Sequence, residues 1–258
     1  MRVLPRRRRS DEARTGTMTL IEHLTELRYR LLLSIYAVAG GAAVGWFLYK
    51  PFFRLATDPY CTWVHQQPAD RQPPTGCDLV VTTPLDGMLI KLKVVVFIGL
   101  AIALPVVLYQ LWAFVVPGLT AKEKRYSIPF ILSAVALFAL GVLFAIVTLP
   151  KALNFLLGFA GGGVVPLLSF SSYFTFVVLV ALAFGVSFLF PVVLVFLELV
   201  GVLSSRRLAS TRRWSILGIS IFCAVITPSS DPYTMLAMTI PMCLFYEAAI
   251  IIGRLLKR

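Results

Sequence analysis

The sequence has few charged side chains, and acidic ones are the rarest. Only 14% of its 258 residues are charged, with 12 Asp and Glu against 24 Lys and Arg. A water-soluble domain of this length needs far more charge to cover its surface. The chain is instead 59% hydrophobic, with a mean hydropathy of +0.86. We therefore expect lipid to be the solvent for much of the chain.

Histidine is almost absent, which excludes several kinds of catalytic site. The two histidines, His23 and His65, both fall outside the long apolar runs. A serine protease built within the membrane on Ser187 would need a base there, and no histidine is available. The sequence also lacks a His-Glu-x-x-His motif, a metal-ligand cluster and a glycine-rich phosphate loop. We expect no enzyme activity, no metal and no cofactor.

Six apolar stretches predict membrane-spanning helices, because about 20 residues cross a hydrocarbon core of about 30 Å. The second and fourth stretches are longer than this and contain Pro105 and Pro191, which are natural kink points. The stretches are Leu31–Tyr49, Met88–Val116, Ile128–Leu149, Tyr173–Val200, Trp214–Ile226 and Tyr233–Gly253.

The fifth stretch is the ambiguous one, since its 13 residues also suit a re-entrant segment. Four arginines precede it, and another apolar stretch follows a short turn at 227–232. We interpret it as a span, and expect short fifth and sixth helices in a locally thinned bilayer. The predicted fold class is an all-α membrane protein with six transmembrane helices.

Basic residues fall mainly on one side of these spans. The segments before the first span, after the second, after the fourth and after the sixth hold 18 of the 24 Lys and Arg. Short basic loops stay in the cytoplasm, so both termini are predicted to be cytoplasmic. Lys91 and Lys93 begin the second span, where their stems can reach outward. The pattern indicates a multi-pass protein of the cytoplasmic (inner) membrane rather than a nucleic-acid-binding protein.

Composition divides the chain into three parts. Residues 1–17 are predicted to form a disordered basic tail that can lie against anionic membrane lipid. Residues 18–253 form the predicted membrane domain, and 254–258 a cytoplasmic tail.

The four cysteines differ in location. Cys61 and Cys77 fall in the predicted external loop, where an oxidising environment favours a disulfide, with two free thiols as the alternative. Cys223 and Cys243 fall within predicted helices, where apolar packing is expected.

The segment before the first span predicts a short amphipathic helix. Thr19 and Glu22 have capping-box spacing, and leucines at 20, 24, 27 and 31 form an apolar stripe. On the other side, Glu26 can pair with Arg30 four residues later. An exposed pair of this kind is worth only about 0.3–0.5 kcal/mol and is common on protein surfaces.

Six short blocks of residues follow one another along the chain after residue 17. They are His23–Arg30, Pro105–Leu119, Glu123–Arg125, Phe184–Phe188 with Pro191, Thr227–Pro228 with Asp231–Pro232, and Ile240–Pro241 with Tyr246–Glu247. In this order and spacing they resemble the TatC family, the receptor subunit of twin-arginine protein translocation. The two external cysteines are also similar to those of actinobacterial members.

The resemblance implies a function that composition does not. TatC proteins bind twin-arginine signal peptides of folded cargo and assemble with single-span TatA or TatB partners, and the proton-motive force drives this Sec-independent transport. The family's glutamates matching Glu26 and Glu123 form the cytoplasmic patch for the two arginines, joined by the residues matching Arg28 and Phe114. Carboxylates suit the role because they accept bidentate hydrogen bonds from guanidinium groups.

The expected partner-docking region departs from the family pattern. It comprises Phe188, Leu189, Pro191 and Met235. Leu189 stands where the family usually has Glu or Gln within the membrane, and Met235 stands where many members have Gln. Glu198 lies about 13 Å further along the helix and should face elsewhere. We expect partner docking to depend more on apolar packing here, or to be weaker.

Two other functions fit the sequence less well. A small-solute transporter needs several ionisable groups near mid-membrane, where the sequence offers only Glu247. A purely structural scaffold leaves the match at the cytoplasmic glutamates unexplained. Pro105, Asp231 and Glu247 are expected to be structural, and self-association is expected. The sequence does not indicate the oligomeric state, the cargo proteins, or whether TatA and TatB are two separate partners.

Overall fold

The computed structural model describes residues 20–69, 72–115, 127–158, 167–199, 201–227 and 231–256. The predicted basic tail at 1–17 and Glu123 lie outside the described residues. Within those ranges the secondary structure is helical, apart from turns and one parallel bridge between Val80 and Ser169. The helices are α1 (Leu20–Gln66), α2 (Asp86–Val115), α3 (Ser127–Gly158), α4 (Phe170–Ser187), α5 (Phe190–Leu199), α6 (Ser205–Ser210), α7 (Arg212–Ile226) and α8 (Pro232–Leu256).

Five helical segments within the described ranges are long and apolar enough to cross a membrane. They match the predicted first, second, third, fourth and sixth spans, with α4 and α5 together forming the fourth. Helix α7 has 15 residues and is about 22 Å long, short of the hydrocarbon core of about 30 Å. A sixth span therefore stays a prediction.

The last helix is longer than expected. Helix α8 has 25 residues and continues through Arg254 to Leu256. The prediction of a short sixth helix is therefore wrong, and the boundary at residue 253 lies inside a helix. The hydropathy pattern ended where charge began, but a helix leaving the membrane can continue in water.

Helix α1 also continues far past the predicted end of the first span. Its 47 residues extend about 70 Å, more than twice the thickness of the hydrocarbon core. Pro51 and Pro59 lie inside the helix without ending it. The predicted loop at 50–87 therefore begins only after Gln66.

Packing at the far end of α1 explains why the helix survives these prolines. Tyr60 and Trp63 are buried there, and the Tyr60 ring lies 5.6 Å from the ring of Tyr173 on α4. The Tyr173 hydroxyl donates to the carbonyl oxygen of Ala56 at 2.7 Å. Tertiary contacts therefore stabilise a segment whose local sequence favours a break.

Small residues bring the long helices together. A Cβ added to Gly41 of α1 would lie 2.5 Å from the carbonyl oxygen of Gly99 on α2. A Cβ added to Gly141 of α3 would lie 2.7 Å from the carbonyl oxygen of Phe184 on α4. These approaches require glycine, and close backbone contact of this kind is typical of helices packed in membranes.

The fourth span is interrupted, as Pro191 predicted. Helix α4 ends at Ser187 and α5 begins at Phe190. Because Pro191 has no N–H, it cannot donate to the carbonyl oxygen of Ser187. The amide of Leu189 instead donates to Val186 at 3.0 Å, a tighter turn than in an α-helix.

Candidate functional site

The polar face at the start of α1 turns inward. Ile21 and Leu24 are 78% and 63% exposed, whereas His23, Glu26 and Arg30 are half-buried. The apolar stripe can face lipid or the membrane–water interface. The polar side chains therefore face inward, toward the rest of the protein. They pack toward the end of α2.

Glu26 and Arg30 form the centre of this polar face. The Nε and Nη2 atoms of Arg30 donate to Oε1 of Glu26 at 2.9 and 2.5 Å. The Nη1 atom of Arg30 lies 3.4 Å from Oε1 of Gln110 on α2. The pair is only 20–23% exposed and links two helices, so it is more than the surface pair that spacing suggested.

The second carboxylate oxygen of Glu26 is left open. Its Oε2 atom is buried and has no hydrogen-bond partner among the described residues. A carboxylate held at one oxygen retains acceptor capacity at the other. Leaving such an atom buried and unpaired costs free energy, which a donor from a ligand would recover.

Two aromatic rings connect the start of α1 to α2. The rings of His23 and Phe114 stack with centroids 4.4 Å apart, which joins the start of α1 to the last turn of α2. Phe114 therefore packs against the same end of α1 that carries Glu26. Arg28 is exposed and takes no part in the described contacts of Glu26. Gln110 was given no role from sequence, although an amide within an apolar span was a usable signal.

The predicted partner-docking residues do not form one surface. Phe188 is only 2% exposed, and its ring packs edge-on against Phe245 of α8 at 4.9 Å. In the structure this ring therefore packs inside the fold, beside the helix break, and is not exposed to a partner. Leu189 is half-buried against the cluster around Leu104 of α2, and Met235 is half-buried on α8.

Pro191 opens onto an apolar groove. The groove has a volume of about 350 Å³ and lies between α2, α3, α5 and α8. Trp112, Phe130 and Phe196 form its aromatic wall, with ring centroids 4.7–5.5 Å apart. An open groove of this composition suits an apolar helix or acyl chain.

Asp231 and Glu247 have partners that suit structural roles. Asp231 caps α8 by accepting a hydrogen bond from the amide of Thr234 at 2.8 Å. Glu247 pairs with Arg212 at 2.8 Å, at the first residue of α7. Glu247 therefore lies level with the end of α7 that carries the arginines, and not at the mid-membrane depth expected from sequence.

Glu198 is a buried carboxylate on α5. It is 1% exposed, both oxygens lack hydrogen-bond partners among the described residues, and it contacts Gly253 of α8. It faces α8 while Leu189 faces α2 and α3, in agreement with the expected difference in direction. No group of three His, Cys, Asp or Glu within the described ranges could hold a metal ion.

Cys61 and Cys77 are paired in the structure. Cys61 lies on the extension of α1 rather than in a loop, and its Cα is 5.1 Å from that of Cys77. This separation lies within the range of disulfides. Cys223 is buried in α7, and Cys243 is half-buried in α8.

Known proteins similar to this chain all point to one family. The profile of TatC, described as Sec-independent protein translocase protein, matches residues 22–241. A TatC of Frankia casuarinae is 40% identical over 97% of this chain and 70% of its own length. A TatC of Aquifex aeolicus is 38% identical over 93% of this chain and 97% of its own length.

The fold is similar as well. A crystal structure of the twin-arginine translocase receptor TatC superimposes with a TM-score of 0.73 at 37% identity, covering 92% of this chain and all of that one. The sequence match and the helical architecture agree over the same region. The chain therefore belongs to the TatC family of Sec-independent protein translocases.

Proposed function

We propose that this protein recognises the twin-arginine signal peptides of folded cargo at the cytoplasmic face of the membrane. The observation that carries the proposal is the half-occupied carboxylate of Glu26, which Arg30 fixes at one oxygen while the other stays open. Membership of the TatC family and the similarity to a twin-arginine translocase receptor support the same assignment.

Binding would use the open oxygen as an acceptor. A guanidinium of the signal peptide can donate to Oε2 of Glu26, and Glu123 would receive the second arginine. Arg30 and Gln110 hold Glu26 in place, so little rotamer freedom is lost on binding. The stacked rings of His23 and Phe114 offer an apolar edge, and Arg28 is exposed on the same helix as His23.

Partner assembly belongs to the same proposal. A single-span TatA or TatB partner would pack its apolar face near Leu189 and the groove beside Pro191, because no ionisable side chain among the described residues lines that groove. Six spans with both termini in the cytoplasm, as predicted from the sequence, would put Glu26 on the cargo side, and the proton-motive force would drive transport.

Photo-crosslinking in membrane vesicles tests the binding patch. Glu26→Ala with Glu123→Ala should abolish crosslinks to a signal peptide that carries both arginines, and Glu26→Gln alone should weaken them, because an amide cannot replace the charged acceptor. Glu22→Gln removes an exposed carboxylate one turn earlier on the same helix and serves as the control. Undiminished crosslinking in the double variant, in protein that still inserts, would refute the patch.

A further inference from the structure

Two lysines near the start of α2 occupy different surroundings. The Nζ atom of Lys91 lies over the ring of Trp46 on α1, 3.5 Å from its centroid. In this position the ammonium group is stabilised by a cation–π interaction with the indole ring. Lys93 is two residues on, points toward α4, and its Nζ donates to Oγ1 of Thr175 at 3.1 Å.

The ammonium of Lys93 lacks an anion in the structure. An ammonium has three donors, and one hydroxyl satisfies only one of them. Among the described residues no carboxylate lies within salt-bridge distance of Lys93. The nearest acidic side chain on its own helix, Asp86, already accepts hydrogen bonds from the amides of Thr82 and Thr83 at 3.3 and 3.0 Å.

Directly beside Lys93 is an apolar groove between α2 and α4. Its volume is about 440 Å³, and apart from Lys93 and Thr175 all its lining side chains are apolar, with Val96, Leu100 and Leu182 among them. From Lys93 to Leu100 the groove runs about 10 Å along α2. This length covers most of one leaflet, which is about 15 Å of the hydrocarbon core.

Lys93 begins just inside the hydrocarbon, from where its side chain can reach outward to a lipid phosphate. Helix α2 has 30 residues and is about 45 Å long, so a centred helix extends about 7 Å beyond each side of a core of about 30 Å. Lys93 lies about 10 Å from the start of the helix. Its ammonium is therefore close to the boundary of the hydrocarbon, with the groove below it.

We propose that the groove beside Lys93 binds one phospholipid of net negative charge, with its phosphate on Lys93 and Thr175 and an acyl chain along α2 and α4. Lysine is a common phosphate ligand, and the phosphate supplies the charge that the described protein does not. In the orientation predicted above, this lipid belongs to the external leaflet. The site is separate from the signal-peptide patch and stands without it.

Native mass spectrometry of delipidated, detergent-purified protein tests the site. Dioleoyl phosphatidylglycerol should bind about tenfold more tightly than dioleoyl phosphatidylcholine, because both offer the phosphate but the choline ammonium of the second repels Lys93 and cancels the net charge. Lys93→Gln should remove this preference, and Lys93→Arg should retain it. Lys91→Gln removes the same charge at the same depth and should leave the preference unchanged.

The groove itself needs a separate variant. Val96 is 47% exposed and lines the groove, so Val96→Phe should weaken binding of both lipids without changing their order. Glycerol 3-phosphate, which has no chains, should displace neither. Unchanged preference in Lys93→Gln, an equal loss in Lys91→Gln, or no effect of Val96→Phe would each overturn the proposal. Loss of a copurifying protein from Lys93→Gln with unchanged lipid binding would instead assign the ammonium to a protein carboxylate.

Discussion

At the scale of single residues, the carboxylates differ in how fully the fold pairs them. Asp231 accepts a hydrogen bond from the amide of Thr234, and Glu247 forms an ion pair with Arg212. Each therefore has a described partner within the fold. Glu26 has a partner at one oxygen only. Buried polar atoms are nearly always paired, so an open oxygen calls for an explanation. Glu198 also lacks partners among the described residues, but it is only 1% exposed, whereas the Glu26 side chain is 20% exposed and within reach of a ligand.

Gln110 should matter to binding more than its neighbours. Gln110→Leu removes the contact that holds Arg30 from the side of α2, so Glu26 loses part of its orientation. We expect about fivefold weaker signal-peptide binding, in line with about 1 kcal/mol for one long hydrogen bond that acts on Glu26 only through Arg30. Quantitative crosslinking against peptide concentration measures this. Tyr109→Phe alters the exposed neighbouring residue and should have no effect; equal losses in both variants would contradict the role given to Gln110.

Gly253→Ala should destabilise the protein through Glu198. The added Cβ would overlap the Glu198 carboxylate. Although this is the end of a flexible side chain, Glu198 is only 1% exposed and has little room to move, so we expect the overpacking cost of about 1–3 kcal/mol. Thermal unfolding in detergent should show a lower Tm, while Gly218→Ala on α7, where a Cβ meets nothing, should not. Adding Glu198→Ala to Gly253→Ala should recover stability, and a further loss in the double variant would mean that the overlap is not the cause.

At the scale of elements, the ends of helices are set by their neighbours. Helix α1 runs through Pro51 and Pro59 because its far end packs on Tyr173, whereas the fourth span breaks before Pro191. The same residue type thus has opposite outcomes in the two places. The contacts available on either side of the proline decide which one occurs.

The pairing of Cys61 with Cys77 fastens the segment after α1 to the helix. Under denaturing conditions without reductant, thiol alkylation should label only Cys223 and Cys243, and reduction should raise the count to four labelled cysteines. Closing a loop of this size stabilises a fold by about 3 kcal/mol in the chain-entropy account, so reduction should also lower the Tm. Four labelled thiols before reduction would show that the bond does not form.

The helix break offers a test of partner docking. Leu189→Glu restores the polar residue usual in the family, so it should strengthen copurification of TatA or TatB relative to wild type. Leu189→Ala is the matched control, since it removes the leucine side chain without supplying a hydrogen-bond partner. Unchanged or lower recovery with Leu189→Glu, in protein of wild-type abundance, would mean that this position does not act here as in the family.

At the scale of the whole molecule, the short helix α7 determines the topology. If α7 crosses the bilayer, the chain has six spans and both termini share one side. If it does not, the five remaining spans place the termini on opposite sides. The arginines at 206, 207, 212 and 213 favour the first arrangement by holding the start of α7 in the cytoplasm.

Reporter fusions distinguish these topologies. A reporter after Asp78 should be external, and one after Ser205 cytoplasmic, in either case. A reporter at the C-terminus should be cytoplasmic with six spans, because α7 and α8 then form a hairpin. External activity at the C-terminus, with the other two fusions as expected, would establish five spans and remove the sixth.

Part of the candidate site could be predicted from the sequence, and part could not. Glu26 and Arg30 are four residues apart on one helix, so their pairing follows from spacing. Gln110 is 80 residues from Arg30, and no local pattern indicates that they meet. The sequence also places Phe188 on a docking surface. It cannot show that the ring is buried, because the burial depends on Phe245, which is distant in sequence.

The sequence by itself determined the apolar spans, their predicted direction and the family, because hydropathy, basic loops and motifs are local properties of the chain. Only the tertiary structure decided where helices α1 and α8 end, which carboxylates have partners and where Lys93 points. Each of these depends on contacts between segments far apart in sequence, such as Lys93 with Thr175, 82 residues away. Packing free energy between helices is large enough to override local preferences at their ends, and local patterns carry no record of it.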